Sequence, residues 1–347
     1  MARDYHLGLV KESTFGTFVS PTAFIPAKTF SFDPAQQMEQ GRFTGAGRAL
    51  RYDWTTVLQP AMSAETLWWS EYMGAILRNA VQNAPTTTTP GGATNARLHT
   101  FKPSDTATLL GLSFEGQHTG SVANFMRGCV INSLEISADG QTPVNCSFDA
   151  LGVDFVRASG TWSDAASAPS VTASPTYFAN SIAPLMAWKT TVKIGGTVAV
   201  NGTTGYLDVT SGTANTSFKS FTLSMNNNLE HIKTFNNQVN PTTIHTAARD
   251  ITLDLELDWE TISNTFFDAW LANTTQVVEI IVTGAQIESG QNYTLKIVLP
   301  AAKVESALYP DGNGDISRPT QAITLVATED SNGYDICFAI EDTQTSY

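Results

Sequence analysis

The sequence predicts a mainly β chain in which one structural unit is used twice. The first sign is Ile251-Thr252-Leu253-Asp254-Leu255-Glu256-Leu257-Asp258-Trp259, where apolar and polar residues alternate without a break. A strict period of two is a strand with one dry face and one wet face. The second is composition: 15% of residues are charged, against about a quarter in ordinary globular chains. Thr, Ser, Asn, Gly and Ala fill the difference, as in turn-rich β proteins. The third is order: a strand, a polar loop, a second strand and an aromatic-rich helix follow one another in two places.

Residues 1–27 read as an N-terminal segment, with Gly16, Pro21 and Pro26 set against a helix. A first β domain is expected over 28–157. It begins with the alternating strand Lys28–Phe32, passes through a polar loop at 33–47 and continues with Leu50–Thr55. Ser63 is placed to cap a helix, with Glu65 in its first turn. Leu67, Trp68, Tyr72, Met73, Ile76, Leu77, Ala80 and Val81 then form its apolar stripe. Strands follow at Leu109–Glu115, Cys129–Ala138 and Val144–Leu151. Residues 158–187, rich in Ser, Ala and Pro, read as a linker.

A second β domain is expected over 188–347. Gly195-Gly196 reads as a hairpin turn between Lys189–Ile194 and Val198–Asn201. The strand Phe218–Met225, an Asn-rich loop over 226–248, the acid-faced strand and a helix near 260–272 come next. Val277–Val282, Tyr293–Leu299, Ile323–Asp330 and Tyr334–Ile340 complete it, with Ser331-Asn332-Gly333 as a hairpin turn. The two halves match in element order: Lys28–Phe32 corresponds to Lys219–Leu223, and both polar loops end at an arginine, Arg48 and Arg249. Leu50–Thr55 then corresponds to Ile251–Trp259.

Composition excludes several classes. The net charge is −13, and no Lys/Arg cluster exists to grip nucleic acid. The first residues lack the apolar stretch of a signal peptide, and no apolar run approaches a membrane span. Cys129, Cys146 and Cys337 are an odd set without close spacing, so buried free thiols are expected rather than a disulfide framework or zinc site. No two of His6, His99, His118, His231 and His245 have metal-ligand spacing. Neither a nucleophile elbow nor a phosphate loop occurs. Asp311–Asp315 starts like a calcium loop, but Ile316 and Ala322 stand where Gly and Glu are needed. No catalytic site, cofactor or metal is expected.

Four stretches resemble the tail tube proteins of long-tailed, non-contractile bacteriophages. They are Lys11–Thr17 with Pro21; Gly128–Ser137; Phe221–Glu230 followed by Ala248–Leu253; and Tyr293–Pro300. The resemblance implies duplicated β-sandwich or barrel domains, each with a flanking helix, assembled into rings that stack as a hollow conduit for DNA. With two copies per chain, it implies a homotrimeric ring with pseudo-sixfold symmetry in the virion tail, assembled in the host cytoplasm. Partners would be other copies, other tail proteins and double-stranded DNA that passes without tight binding; no membrane is involved. Glu135, Asp149, Asp254, Glu256 and Asp258 are then candidates for the lumen wall, where carboxylates would repel phosphate. Asp33, Gln36, Arg42, Arg48, Asn226, Asn228, Glu230, His231 and Arg249 are candidates for contacts between rings or subunits. The alternative from another class is a β-sandwich carbohydrate-binding or adhesin module, which clustered aromatics on exposed loops would favour.

Overall fold

The computed structural model describes residues 6–41, 52–104, 109–119, 122–167, 169–172, 175, 177, 183–235, 238–258, 261–307 and 320–347. In the first half these form β1 (His6–Lys11), β2 (Ala23–Ile25), β3 (Ala27–Asp33), β4 (Gln37–Gly41), β5 (Tyr52–Val57), β6 (Ala61–Leu67), α1 (Ser70–Ala80), β7 (Thr86–Thr88), β8 (Arg97–Phe101), β9 (Leu112–Thr119), β10 (Val122–Asp139), β11 (Asn145–Leu151) and β12 (Asp154–Arg157). The second half holds β13 (Thr190–Ile194), β14 (Thr197–Val200), β15 (Leu207–Thr210), β16 (Thr213–Asn215), β17 (Phe218–Asn226), β18 (Glu230–Ile232), β19 (Thr243–His245), β20 (Asp250–Asp258), α2 (Thr261–Ala272), β21 (Thr275–Glu288), β22 (Gln291–Ala307), β23 (Thr320–Ala327) and β24 (Cys337–Asp342). Among the described residues the fold is mainly β with two flanking helices, as the sequence predicts.

Two sets of strands run through the same antiparallel order. One is β2–β1–β9–β10–β11–β6–β3. The other is β16–β13–β21–β22–β23–β20–β17. The irregularities coincide as well. The β10–β11 register slips between Ile131 and Ser133, and the β22–β23 register slips between Val304 and Ser306. A second slip lies between Met126 and Cys129 in β10, and again where β22 passes from Leu299 to Ala302. A bulge bends its strand and redirects the residues beyond it. The long strands β10 and β22 can therefore start in an outer layer and finish in an inner one. Apolar side chains of both halves fill the space between the layers as one cluster, including Phe114, Ile131, Phe148, Leu223, Leu253, Ile297 and Leu325.

The inner layer is continuous across the halves because β10 pairs with β17, from Ser133↔Asn226 to Asp139↔Ser220. Its order is β3–β6–β11–β10–β17–β20–β23–β22. Among the described residues, β3 pairs with β6 alone and forms the free end of this sheet. It nevertheless packs tightly. A Cβ on Gly116 of β9 would lie 2.1 Å from the Phe32 ring, so only glycine lets β3 sit that close to the outer layer.

Several local expectations change. Residues 63–67 are strand, and the helix starts at Ser70, with Trp69 before it and no side-chain cap. Met62, Ala64 and Thr66 are buried in a period of two. Pairing on both sides, with β3 and β11, outweighs the local capping signal. Ser63 Oγ instead shares a 2.8 Å hydrogen bond with Ser31 Oγ. The strand that matches β20 is therefore β6, not Leu50–Thr55. The 33–47 loop contains β4, which pairs with β5 as a hairpin arm. This arm occupies the same place as β18–β19 in the second half. Gly195-Gly196 does turn the chain, at φ 74° and 93°. Yet β13 pairs with β16 and β21, and β14 with β15, so no hairpin forms there. Likewise β24 leaves β23 and pairs with β22 and β8.

Residues 1–27 contribute β1 and β2 to the first set of strands. Within 158–187, Trp162 is buried beside Ala123, Phe125 and Val156, and Arg127 bridges Asp154 and Asp164 at 2.8 and 3.0 Å. Tyr347 lies across α1, where a Cβ on Gly74 would meet its ring at 2.2 Å.

Glu12 ties the first strand to the bulge of β10. It accepts from Gly16 N (2.7 Å), Gly128 N (2.7 Å) and Ser113 Oγ (2.8 Å). Burial outweighs these donors and raises its pKa from 4.5 to about 7. The proton is held more tightly in the folded state, so this group's contribution to stability is full below about pH 4.5 and falls as pH rises towards 7. Across that window Glu12→Gln removes a pH-dependent loss of up to about 3 kcal/mol. Denaturant unfolding of both proteins at pH 4.5, 5.5 and 7.5 measures it; parallel pH profiles would contradict this account.

Candidate functional site

The inner sheet turns its apolar side chains to the core and presents a polar face on the other side. Cross-strand rows run over this face. One row is Thr29–Glu65–Ser147–Glu135–Ser224–Thr252–Val326–Lys303, with one residue from each strand of the sheet. The row beside it is Ser31–Ser63–Asp149–Ser133–Asn226–Asp250. On the other side runs Leu67–Asn145–Ser137–Thr222–Asp254–Thr324–Ser306, and next to that Asp139–Ser220–Glu256–Ala322.

No carboxylate in these rows stands directly opposite another. Ser147 separates Glu65 from Glu135, and Thr222 and Thr324 flank Asp254. Like charges directly opposite destabilise a sheet, whereas hydroxyls between them do not. The spacers also donate: Ser133 Oγ to Asp149 Oδ2 at 2.7 Å, and Thr324 Oγ1 to Asp254 Oδ1 at 2.6 Å. The bases are fewer. Lys28 Nζ reaches Glu65 Oε1 at 3.0 Å, and Lys219 Nζ reaches Asp258 Oδ1 at 2.7 Å. Lys303 is exposed. The face therefore carries an excess of negative charge.

Four of the five carboxylates singled out in the sequence, Glu135, Asp149, Asp254 and Glu256, share this face. Asp258 lies at its edge, largely covered and paired with Lys219. Sequence reading missed Glu65 because it was assigned to a helix. It also passed over Asp250, whose strand parity matches Asp254. The alternation in 61–67 was the available signal for the first.

The second hairpin arm docks on the first half of its own chain. Asn227 donates to Ala80 O and Ile131 O, both at 2.9 Å, so it caps the end of α1 and the bulge of β10 together. Leu229 N donates to Asn132 Oδ1 at 2.8 Å, and Leu229 and Ile244 pack on Val130. His231 Nε2 donates to Gly152 O at 2.9 Å, and burial lowers its pKa. Arg249 is bound within the chain to Asp335 at 2.9 Å. Asn228, at φ 47°, reaches Ala248 O and Asp250 Oδ2. Asn226 Oδ1 receives Asn228 N, and Glu230 is exposed. Asp33 Oδ1 receives Ala35 N at 2.7 Å, and Gln36 follows it in an exposed turn. Arg42, Arg48 and the 311–315 stretch lie outside the described residues.

Among the described residues no group of His, Cys, Asp and Glu could hold a metal ion. All three cysteines are buried and free, and burial pushes the Cys146 thiol up to about 12. A shallow depression of about 260 Å³ on the acid face is lined chiefly by Ser133, Glu135, Ser147, Asp149, Asn226 and Asp250. No described helix is long and apolar enough to cross a membrane.

The described residues thus form a mainly β fold with a broad polar face. The model of the phage tail tube protein family matches residues 3–327. The chain belongs to that family, and is thus a structural component of the virion tail. No curated protein matches it. The family assignment does not favour the carbohydrate-binding alternative.

The acids sit on an exposed face and do not hold the fold together, so neutralising them should cost little. Asp149→Asn, Asp254→Asn and Glu256→Gln combined are expected to change unfolding free energy by less than about 1 kcal/mol. Chemical denaturation checks this; a loss of several kcal/mol would make the face structural instead.

Proposed function

We propose that three copies of this chain close into a ring with pseudo-sixfold symmetry, and that stacked rings form the conduit through which the genome leaves the virion. The observation that carries this reading is the unequal fate of two equivalent strands. β17 has its outer edge covered by β10 of the first half. β3 holds the same place in the first set, and among the described residues no strand covers it. At the other end of the sheet, the end of β22 near Ala307 holds the place of the β10 segment that binds β17. A neighbouring copy can therefore offer β22 to β3 in the way β10 meets β17. Exposed strand edges favour such pairing, and a head-to-tail interface repeated by rotation closes a ring. On this reading the two sets of strands are two copies of one tube unit.

Size favours three chains. Eight strands closed on themselves are filled by their own side chains. Three chains with eight inner strands each give a wall of the order of 40 Å across, from a strand spacing of about 4.8 Å. That leaves room for a DNA duplex. The acid face then lines the bore. Its carboxylates repel phosphate and offer no cations for counterion release, so DNA can slide without sticking. Assembly takes place in the host cytoplasm with other tail proteins.

Hydrogen exchange tests the closure. Peptides covering 27–33 are expected to gain protection when dilute protein is driven to assemble, while β17 is protected throughout; unchanged exchange in β3 would count against it. DNA binding tests the bore. Replacing Asp149, Asp254 and Glu256 with Lys adds three phosphate partners per chain. Affinity for duplex DNA at low salt should then rise about 100-fold or more, and should fall steeply with added salt. Equal affinities for wild-type and variant tubes would place these residues away from the DNA path.

A further inference from the structure

We propose that Lys28, Glu65 and Asn145 form a self-linking site, in which the Lys28 amine and the Asn145 side-chain amide join as a covalent amide and release ammonia. This modification goes beyond the ring reading and does not depend on it. The reaction needs a nucleophilic amine, an acyl group with a leaving nitrogen, and a carboxylate to carry protons. Here the three meet at one point. Lys28 Nζ donates to Asn145 Oδ1 at 2.7 Å and to Glu65 Oε1 at 3.0 Å. A carbonyl bond is about 1.2 Å long, so Nζ lies at most about 3.9 Å from Asn145 Cγ. That is close to the ~3–3.5 Å of a near-attack conformer.

A bulge builds this convergence. Ala27 and Phe30 both pack on the core, and in a plain strand Lys28 would share the side of Phe30. The β3–β6 register slips between Ala27 and Thr29 instead, and the extra residue turns Lys28 onto the polar face. Thr29 stands opposite Glu65, and Leu67 of the same strand stands opposite Asn145. Lys28 therefore spans β6 and reaches the third strand of the sheet. Lys28 and Glu65 are partly exposed, at 46% and 40%, and an ion pair of that kind adds little to stability. A covalent bond at the same point would tie β3 to β11 across β6. Among the described residues β3 pairs with β6 alone, so the bond would secure the inner strand with the least support.

The step balances without an oxidant, a metal or a second substrate. One Nζ proton passes to Glu65, leaving a neutral amine and a neutral acid. The Nζ lone pair attacks Asn145 Cγ, and the Nζ–Cγ bond forms. Glu65 gives its proton to Nδ2 and takes the second proton from Nζ. The Cγ–Nδ2 bond then breaks and ammonia leaves. The proton on Glu65 passes to that ammonia, which departs as ammonium and restores the carboxylate. Only a neutral amine attacks, and ordinary lysine amines lose their proton near pH 10.4, so linking should speed up between about pH 7 and 10.

The test is to incubate the purified protein at about pH 9, digest it and examine the peptides by tandem mass spectrometry. A branched peptide joining Lys28 to Asn145 is expected, from chains lighter by one ammonia. Glu65→Gln should slow its formation about 100-fold or more, and Lys28→Arg and Asn145→Ala should abolish it. Circular dichroism and thermal unfolding confirm that the variants are folded. Wild-type protein that stays unlinked, or that links no faster than Glu65→Gln, overturns the proposal. So does loss of ammonia without the branch, as from ring closure of Asn145 on its own backbone.

Discussion

The ladder between β10 and β17 is the constraint on which the rest of the molecule depends. It joins the two sets of strands into one inner sheet, and it does so edge to edge, through main-chain hydrogen bonds. The bulge at Ile131–Ser133 makes this possible. It bends β10 out of the outer layer so that its last residues can reach β17. Asn227 and Asn132 then fasten the junction at the same point, by binding the end of α1 and the start of the second arm. Among the described residues the equivalent edge, that of β3, is left without a second strand, which is the ground for the proposed pairing with another copy.

The face on the other side of that sheet has its origin in the same geometry. One side of every inner strand must meet the core, so the other side carries what is left, and period two sets which residues those are. The face is mostly Ser, Thr and Asn, with carboxylates spaced so that none meets another across a ladder. This keeps the negative charge high and its internal cost low. Binding a polyanion would require the opposite sign.

Much of this was legible in the sequence, for identifiable reasons. The alternation of 251–258 fixed β20 and placed Asp254 and Glu256 on one side, because period two has no competing reading at that length. The repeated order of elements was legible, but its register was not. Ser63 and Glu65 mimic a helix start, and only pairing of β6 on both sides overrides them, which is tertiary information. Taking Leu50–Thr55 as the partner of β20 came from that same error and hid the first hairpin arm. The false hairpins at Gly195-Gly196 and Ser331–Gly333 have a related cause. A turn sequence says that the chain reverses, not which strand it pairs with afterwards. Glu65 and Asp250 were missed for want of a strand assignment and a register.

The most direct test of the closure claim is the rotational order of the assembled wall. Electron cryomicroscopy of tubes formed by the purified chain should resolve three copies per ring, with β3 of each hydrogen-bonded to β22 of its neighbour and Glu135, Asp149, Asp254 and Glu256 facing the bore. Six copies per ring, or a β3 edge left open to solvent, would contradict the account.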